Sequence, residues 1–296
     1  MRISVVQFSP GQDKSANIQA VSRLIGQAVA TDRPGMVCLP EVWTCLGGGR
    51  AAKQAAAEDL SGPAEAAPPG SARAFLRDTA RRHGIVLHGG SVIERAGERL
   101  FNTTLVFGPD GRELGRYRKI HLFDITAPDG TGYRESASFG AGAAVAVVPV
   151  GDLPVGLAIC YDLRFAELFL NLRRAGAELI VLPAAFTQQT GRAHWEPLLR
   201  ARAIETQCWI AAPATAGVHQ EADGQARWTW GHAMIVDPWG VVVAQCGEEE
   251  AGFASAEIDR ALTARVRAAI PMEAHRRLGV SPPGGPAPPP LVASAP

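Results

Sequence analysis

Apolar positions fall into two rhythms along this chain. Around residues 3–8, 36–39 and 85–94 they form short runs or alternate with a period of two, which predicts strands. Across 17–30 they recur at Ile18, Val21, Ile25 and Val29, the spacing of one helix face, and 72–82 also reads as a helix. A hairpin is expected where 103–107 turns through Pro109-Asp110-Gly111 into 113–117, and another where 145–149 meets 155–159 through Gly151-Asp152. Residues 179–182 and 209–212 read as buried strands, 197–207 as a helix opened by Pro197, and 232–236 with 241–245 as strands turning at Pro238-Trp239-Gly240. Many hairpins interleaved with helices predict an α+β fold, an α/β sandwich, rather than a doubly wound parallel sheet.

One junction between these rhythms carries chemistry. The apolar run Val155-Gly156-Leu157-Ala158-Ile159 ends at Cys160, and Asp162 is placed to cap the helix that follows. A thiol at a helix N-terminus feels the positive end of the dipole, which favours thiolate. Strand, sharp turn, nucleophile and helix is a recurring way to hold a reactive atom above a sheet. Taken alone, Cys160 reads more readily as a buried structural cysteine.

Composition narrows the setting. The 296 residues are 47% hydrophobic with a formal net charge of zero, enough for a substantial core and without a basic footprint for nucleic acid. No linker divides the middle, so one domain over 1–279 is expected, followed by a Pro-rich, disordered tail over 280–296. No apolar run has the length of a membrane span, and the N-terminus lacks a charged-then-apolar signal. Five cysteines without CxxC spacing argue against a disulfide framework or a zinc knuckle, and point to a reducing, cytoplasmic setting.

Two further segments change the weight of Cys160. Met36-Val37-Cys38-Leu39-Pro40-Glu41 is an apolar run ending in a carboxylate, and Tyr117-Arg118-Lys119-Ile120-His121-Leu122-Phe123 embeds a lysine among aromatic and aliphatic residues. In the order Glu, Lys, Cys, and with Val5-Val6-Gln7 and Asp237-Pro238-Trp239-Gly240 at the two ends, the chain resembles the nitrilase superfamily of carbon–nitrogen hydrolases over nearly its whole length. The resemblance implies a four-layer α-β-β-α sandwich that pairs into a homodimer. It also implies Glu41 as general base and acid, Lys119 as oxyanion stabiliser and Cys160 as nucleophile, with no metal and no organic cofactor. Glu135, in Tyr133-Arg134-Glu135-Ser136, matches a second glutamate that orients lysine and substrate in such amidases, although a solvated loop carboxylate reads the same way in isolation. The elbow geometry adds the backbone N–H of Tyr161 as a second oxyanion donor.

The assigned chemistry is physically coherent. A thiolate attacking an amide needs a base for its proton, donors for the oxyanion and an acid for the departing amine. A carboxylate of reference pKa about 4.3 is a weak base for a thiol of about 8.5. Burial would raise the first while Lys119 and the helix terminus lower the second, bringing proton transfer close to balance. The chain has seven histidines, none beside Cys160 in sequence, so the residues alone leave a Cys–His–Asn arrangement open.

The segment from Pro183 to Glu196 resembles the branch of deaminated-glutathione amidases and ω-amidases, implying a small carboxylate-bearing ω-amide as substrate and ammonia as product. A carboxylate beside the scissile amide calls for a cation. Arg192 is the first candidate because it follows Phe186 and Thr187 in a glycine-flanked loop; Arg134, beside Glu135, and Arg164 come next. Phe186 and Thr187 are expected to line the acyl pocket. The glutamate loop Val42-Trp43-Thr44-Cys45-Leu46-Gly47-Gly48-Gly49 departs from the commonest family patterns and is expected to shape the pocket mouth. An N-carbamoyl hydrolase or a nitrilase would use the same trio. A silent binding fold is disfavoured because Glu41, Lys119 and Cys160 are all present. For the dimer, 163–174 and 194–207 are the expected interface, with Leu168, Phe169 and Leu172 as its apolar contacts.

Overall fold

In the computed structural model, which describes residues 1–127, 130–222, 224, 226–248 and 251–277, two large sheets stack face to face between helices. Arg2–Phe8 sits inside a ten-stranded sheet, parallel to Met36–Cys38 and Ala214–Gln220 and antiparallel to Gly252–Glu257. In the six-stranded sheet, Leu153–Leu157, Leu179–Val181 and Trp209–Ala212 run parallel. Ala146–Val150 closes one side of it antiparallel, and Met234–Val236 with Val242–Gln245 the other.

The period-two alternation explains the stacking, because the first sheet buries both faces. Ile3, Val5, Met36, Cys38 and Val106 point into a core shared with the second sheet. Their neighbours Val6, Val37, Leu39, Leu105 and Phe107 point into another core. Helices Lys14–Asp32 and Ala72–His83 cover that second core through Val21, Leu24, Ile25, Leu76 and Ala80. Each large apolar side chain so buried contributes roughly 1.5–3 kcal/mol. The first helix starts where the Asp13 carboxylate accepts from Ser15 and Ala16 N–H groups at 2.8 and 3.1 Å. Ala166–Arg174 and Gln188–Thr206 cover the outer face of the six-stranded sheet, which completes the α-β-β-α order.

Three expectations need correction. The run 85–94 is two strands, Val86–His88 and Val92–Ala96, broken at Gly89-Gly90. Gly90 has φ +58°, and a Cβ there would lie 2.0 Å from the Pro40 carbonyl oxygen, so the break lets two backbones meet just before Glu41. The helix expected from Pro197 begins a good two turns earlier, after the Thr187 cap, and holds Pro197 in its interior. Leu168, Phe169 and Leu172 do not form an outer face, because all three are buried in the chain's own core. The exposed large apolar residues nearby are instead Ile204, Trp239, Val241 and Val243. Among the described residues no helix is long and apolar enough to cross a membrane. The tail over 280–296 lies outside the described residues.

Candidate active site

Three strand ends deliver the trio. Glu41 follows Met36–Cys38, Lys119 follows Glu113–Arg118, and Cys160 follows Leu153–Leu157. Two of the connections are strained: Val42 has φ +41° and Cys160 φ +46°, a conformation costly for any residue with a Cβ and most so for a β-branched one. The surroundings hold both in place. Val42 N–H donates to Ser91 Oγ at 2.9 Å, and Cys160 N–H donates to the Pro183 carbonyl at 2.9 Å. The Tyr161 N–H donates to no other described group.

Lys119 Nζ lies 3.0 Å from Glu41 Oε1 and 2.9 Å from Glu135 Oε2, and the lysine is only 2% exposed. Burial acts to lower its pKa, but Glu135 and then Glu41 outweigh that and hold the ammonium well above its ordinary range. Burial would raise Glu135 in turn, and the Lys119 charge reverses this to leave it below the usual carboxylate range. Glu135 is therefore an ion-paired member of the site rather than a solvated loop carboxylate, and its Oε2 also accepts from the Phe123 N–H at 2.7 Å.

The thiol behaves differently from the expectation. Burial, and then the Glu41 carboxylate, push Cys160 well above the ordinary thiol range, and Lys119 only partly offsets them. The reason is geometric. Cys160 opens a 3₁₀ turn, Cys160–Arg164, and the α-helix starts only at Ala166, so little dipole reaches the sulfur. The lysine charge is already shared by two carboxylates. Both effects keep the proton on sulfur, so the arrangement favours a resting thiol.

One residue absent from the sequence reading, Asn102, and one read there only as a helix cap, Asp162, complete the floor. Asn102 Nδ2 donates to Glu41 Oε1 at 2.9 Å, and within 3.4 Å of Glu135 Oε1, which ties the two glutamates together. Asp162 does not cap the α-helix Ala166–Arg174; it lies inside the 3₁₀ turn and reaches back to the head of that turn. Its buried carboxylate accepts from the Ile159 N–H at 2.8 Å, the Tyr117 hydroxyl at 2.7 Å and the His121 N–H at 3.1 Å, and lies 2.7 Å from His121 Nδ1. It thus pins the lysine segment to the Cys160 turn. A polar residue in the middle of an apolar strand was the available signal for Asn102; nothing local marked Asp162 as a brace.

The floor opens into a cavity of about 210 Å³ that also includes Phe186, Arg134 and Arg164 in its wall. Phe186 packs against Trp195 with ring centroids 5.0 Å apart. Thr187 does not line the cavity; its hydroxyl caps the helix Gln188–Thr206, and Thr190 takes its place in the wall. Arg192 is excluded too, because the expected loop is helical there and turns Arg192 to solvent. Arg134 donates to the carbonyls of Ile125 and Tyr133, both at 2.8 Å. Arg164 lies over the rings of Phe186 and Tyr161 and within 3.3 Å of His194 Nδ1. Lys53 and Arg227 also line the cavity and were not foreseen. In the glutamate loop, Trp43 is fully buried and donates to the Gly89 carbonyl, whereas Cys45, Leu46 and Gly47 shape the wall. Among the described residues no group of three or more His, Cys, Asp or Glu is arranged to hold a metal ion.

Residues 2–268 match the carbon–nitrogen hydrolase family model. Deaminated glutathione amidase of Synechocystis is 40% identical over 278 residues, covering 92% of this chain and 97% of that protein. Omega-amidase NIT2 of Homo sapiens is 37% identical, with 93% and 95% covered. Among solved structures, the C. elegans NitFhit protein superposes with a TM-score of 0.83 at 37% identity, covering 93% of this chain and 65% of that longer one. Saccharomyces cerevisiae Nit3, of branch 10 of the nitrilase superfamily, gives 0.80 at 27% identity, with 94% and 97% covered.

Proposed function

Since the chain belongs to the carbon–nitrogen hydrolase family and is an amidase, we propose that it cleaves a small carboxylate-bearing ω-amide through a thioester on Cys160. The observation that carries this reading is the convergence of Glu41, Lys119 and Cys160 at three strand ends, with the lysine held cationic between two glutamates. Glu41 takes the Cys160 proton as sulfur attacks the amide carbon, and Lys119 Nζ with the Tyr161 N–H holds the oxyanion. Glu135 and Asn102 position Lys119 and Glu41. Protonated Glu41 then gives its proton to the departing nitrogen, which leaves as ammonia from a primary amide or as an amine from a substituted one. Water activated by Glu41 cleaves the thioester, freeing the carboxylic acid and restoring the thiol.

Deaminated glutathione is the first substrate proposed and 2-oxoglutaramate the second, supported by what the relatives at 40% and 37% identity are named for. Arg164, over Phe186 in the cavity wall, is the proposed partner of the substrate carboxylate on the acyl side. The test is release of the carboxylic acid from these two compounds, a neutral aliphatic amide, an N-carbamoyl analogue and a nitrile analogue. A preference for the neutral amide, carbamoyl or nitrile compound would overturn the substrate reading.

Association as a homodimer is proposed too, supported by exposed Ile204, Trp239, Val241 and Val243 on one flank of the six-stranded sheet. A monomer mass by light scattering at micromolar concentration, with full activity, would overturn it. All five cysteines are free, which supports work in the reducing cytoplasm.

A further inference from the structure

Among the described residues, and apart from the floor, the cavity wall carries four cations, Lys53, Arg134, Arg164 and Arg227, against one carboxylate, Glu221. None of the four forms an ion pair with a carboxylate among the described residues. A substrate with a single free carboxylate needs only one such partner, so the excess calls for a second anionic group.

Arg227 is the cation best built for it. It projects from the strand Ala226–Trp230, and its Nη2 donates to the Ala185 carbonyl at 3.1 Å. Ala185 lines the same cavity as Cys160, so the guanidinium is anchored to the wall around the proposed nucleophile. Its face lies 5.6 Å from the Tyr133 ring, whereas Arg164 stands over Tyr161 and Phe186. Arg227 Nε is buried and donates to nothing among the described residues, a cost that a bound anion would offset. Lys53 enters from the helix Gly49–Ala56, with Nζ 5.7 Å from the Phe139 ring centroid.

We propose that Arg227, aided by Lys53, forms a leaving-group subsite that takes a carboxylate on the amine side of the scissile bond. The preferred substrate is then a substituted amide whose leaving amine is anionic, of the dipeptide class, rather than a primary amide. This rests on the amidase reading above. The bonds balance as before: C–S forms as C–N breaks, the nitrogen departs with the thiol proton relayed by Glu41, and water later replaces sulfur on the acyl carbon. Deaminated glutathione, a 2-oxoglutaryl group amide-linked to cysteinylglycine, has the required second carboxylate on its glycine; 2-oxoglutaramate has none.

The test compares the full-length protein on deaminated glutathione, on the same compound with its glycine carboxylate converted to a carboxamide, and on 2-oxoglutaramate. Wild type is expected to prefer the free acid over the carboxamide by about ten- to a hundredfold in kcat/KM, the range for one hydrogen bond to a charged group. Arg227→Gln should bring that ratio close to one, chiefly through KM, Lys53→Gln should lower it less, and Arg227→Lys should keep part of it. Equal rates on acid and carboxamide in wild type would overturn the subsite, as would an unchanged ratio in Arg227→Gln or turnover of 2-oxoglutaramate alone. Uniform loss on all three compounds in Arg227→Gln would mark Arg227 as a brace for Ala185 and overturn it as well. No turnover of any compound by wild type would sink the amidase reading itself.

Discussion

The floor and the rim of the cavity above Cys160 are built on opposite plans. At the floor, Lys119 is held by Glu41 and Glu135, and Asn102 ties the two carboxylates together; Lys119, Glu41 and Asn102 are buried and Glu135 is nearly so. At the rim, Lys53, Arg164 and Arg227 face aromatic rings, a histidine and a backbone carbonyl, with no carboxylate in ion-pair range among the described residues. Internal pairing keeps the floor preorganised for one reaction, because its charges are oriented before substrate arrives. Open cations leave the rim to be completed by whatever anion fits. On the proposed function, the floor carries reaction class and the rim carries substrate choice.

The most severe way to probe the floor is Cys160→Ala, which is expected to abolish hydrolysis while circular dichroism stays native. In wild type, intact and peptide mass spectra with a slow amide should place the acyl adduct on Cys160. Cys45 lines the same cavity, so an adduct there would move the nucleophile. Next comes Lys119→Arg, expected to lose about 100- to 1000-fold in kcat, nearly as much as Lys119→Ala, since a planar fork cannot replace a compact ammonium between two carboxylates. Retention of more than about a tenth of wild-type turnover would show the floor to be less tightly specified than its pairing suggests.

Glu135→Gln should cost less, about tenfold in kcat, because Glu41 still holds the lysine. It also has a pH signature. Glu135 sits below its ordinary value in the folded chain, so its stabilising contribution is complete above about pH 4.5 and is lost as pH falls through the lowered folded value. Chemical denaturation at pH 7 and pH 4 should therefore show a smaller acid-dependent loss in Glu135→Gln than in wild type; an equal loss would deny the pairing. On the rim, Arg164→Ala is expected to raise KM for 2-oxoglutaramate about tenfold and to affect a neutral amide less. Parallel changes for both would remove Arg164 from carboxylate recognition. Smallest of all, Arg192→Ala should shift kcat/KM by less than about twofold, because the side chain is in solvent.

Legibility in the sequence tracked locality. Cys160 was readable because an apolar strand, a turn and an amphipathic run are consecutive, and Glu41 and Lys119 because each closes a short apolar or aromatic stretch. Arg192 misled because Gly191 and the nearby Pro197 suggested a loop. In the fold, Thr187 caps a helix that runs through both, and helical phase sends Arg192 outward. Arg227 was invisible because its approach to Ala185 joins residues 42 positions apart, through a hairpin folding over the cavity. Leu168, Phe169 and Leu172 had the right spacing for an apolar helix face, but spacing does not say whether the face meets the chain's own sheet or another copy.

By itself, the sequence determined the strands and helices, through periodicities of two and of three to four, and the order of the three reactive side chains. Those are properties of neighbouring residues, set by backbone geometry and by which side chains avoid water. Only the tertiary structure decided which carboxylates hold Lys119, that the resting thiol is pushed up rather than down, and which arginines face the cavity. Each of these depends on distances and burial between segments far apart in the chain, where a change of helical phase or strand register turns a site residue into a surface one.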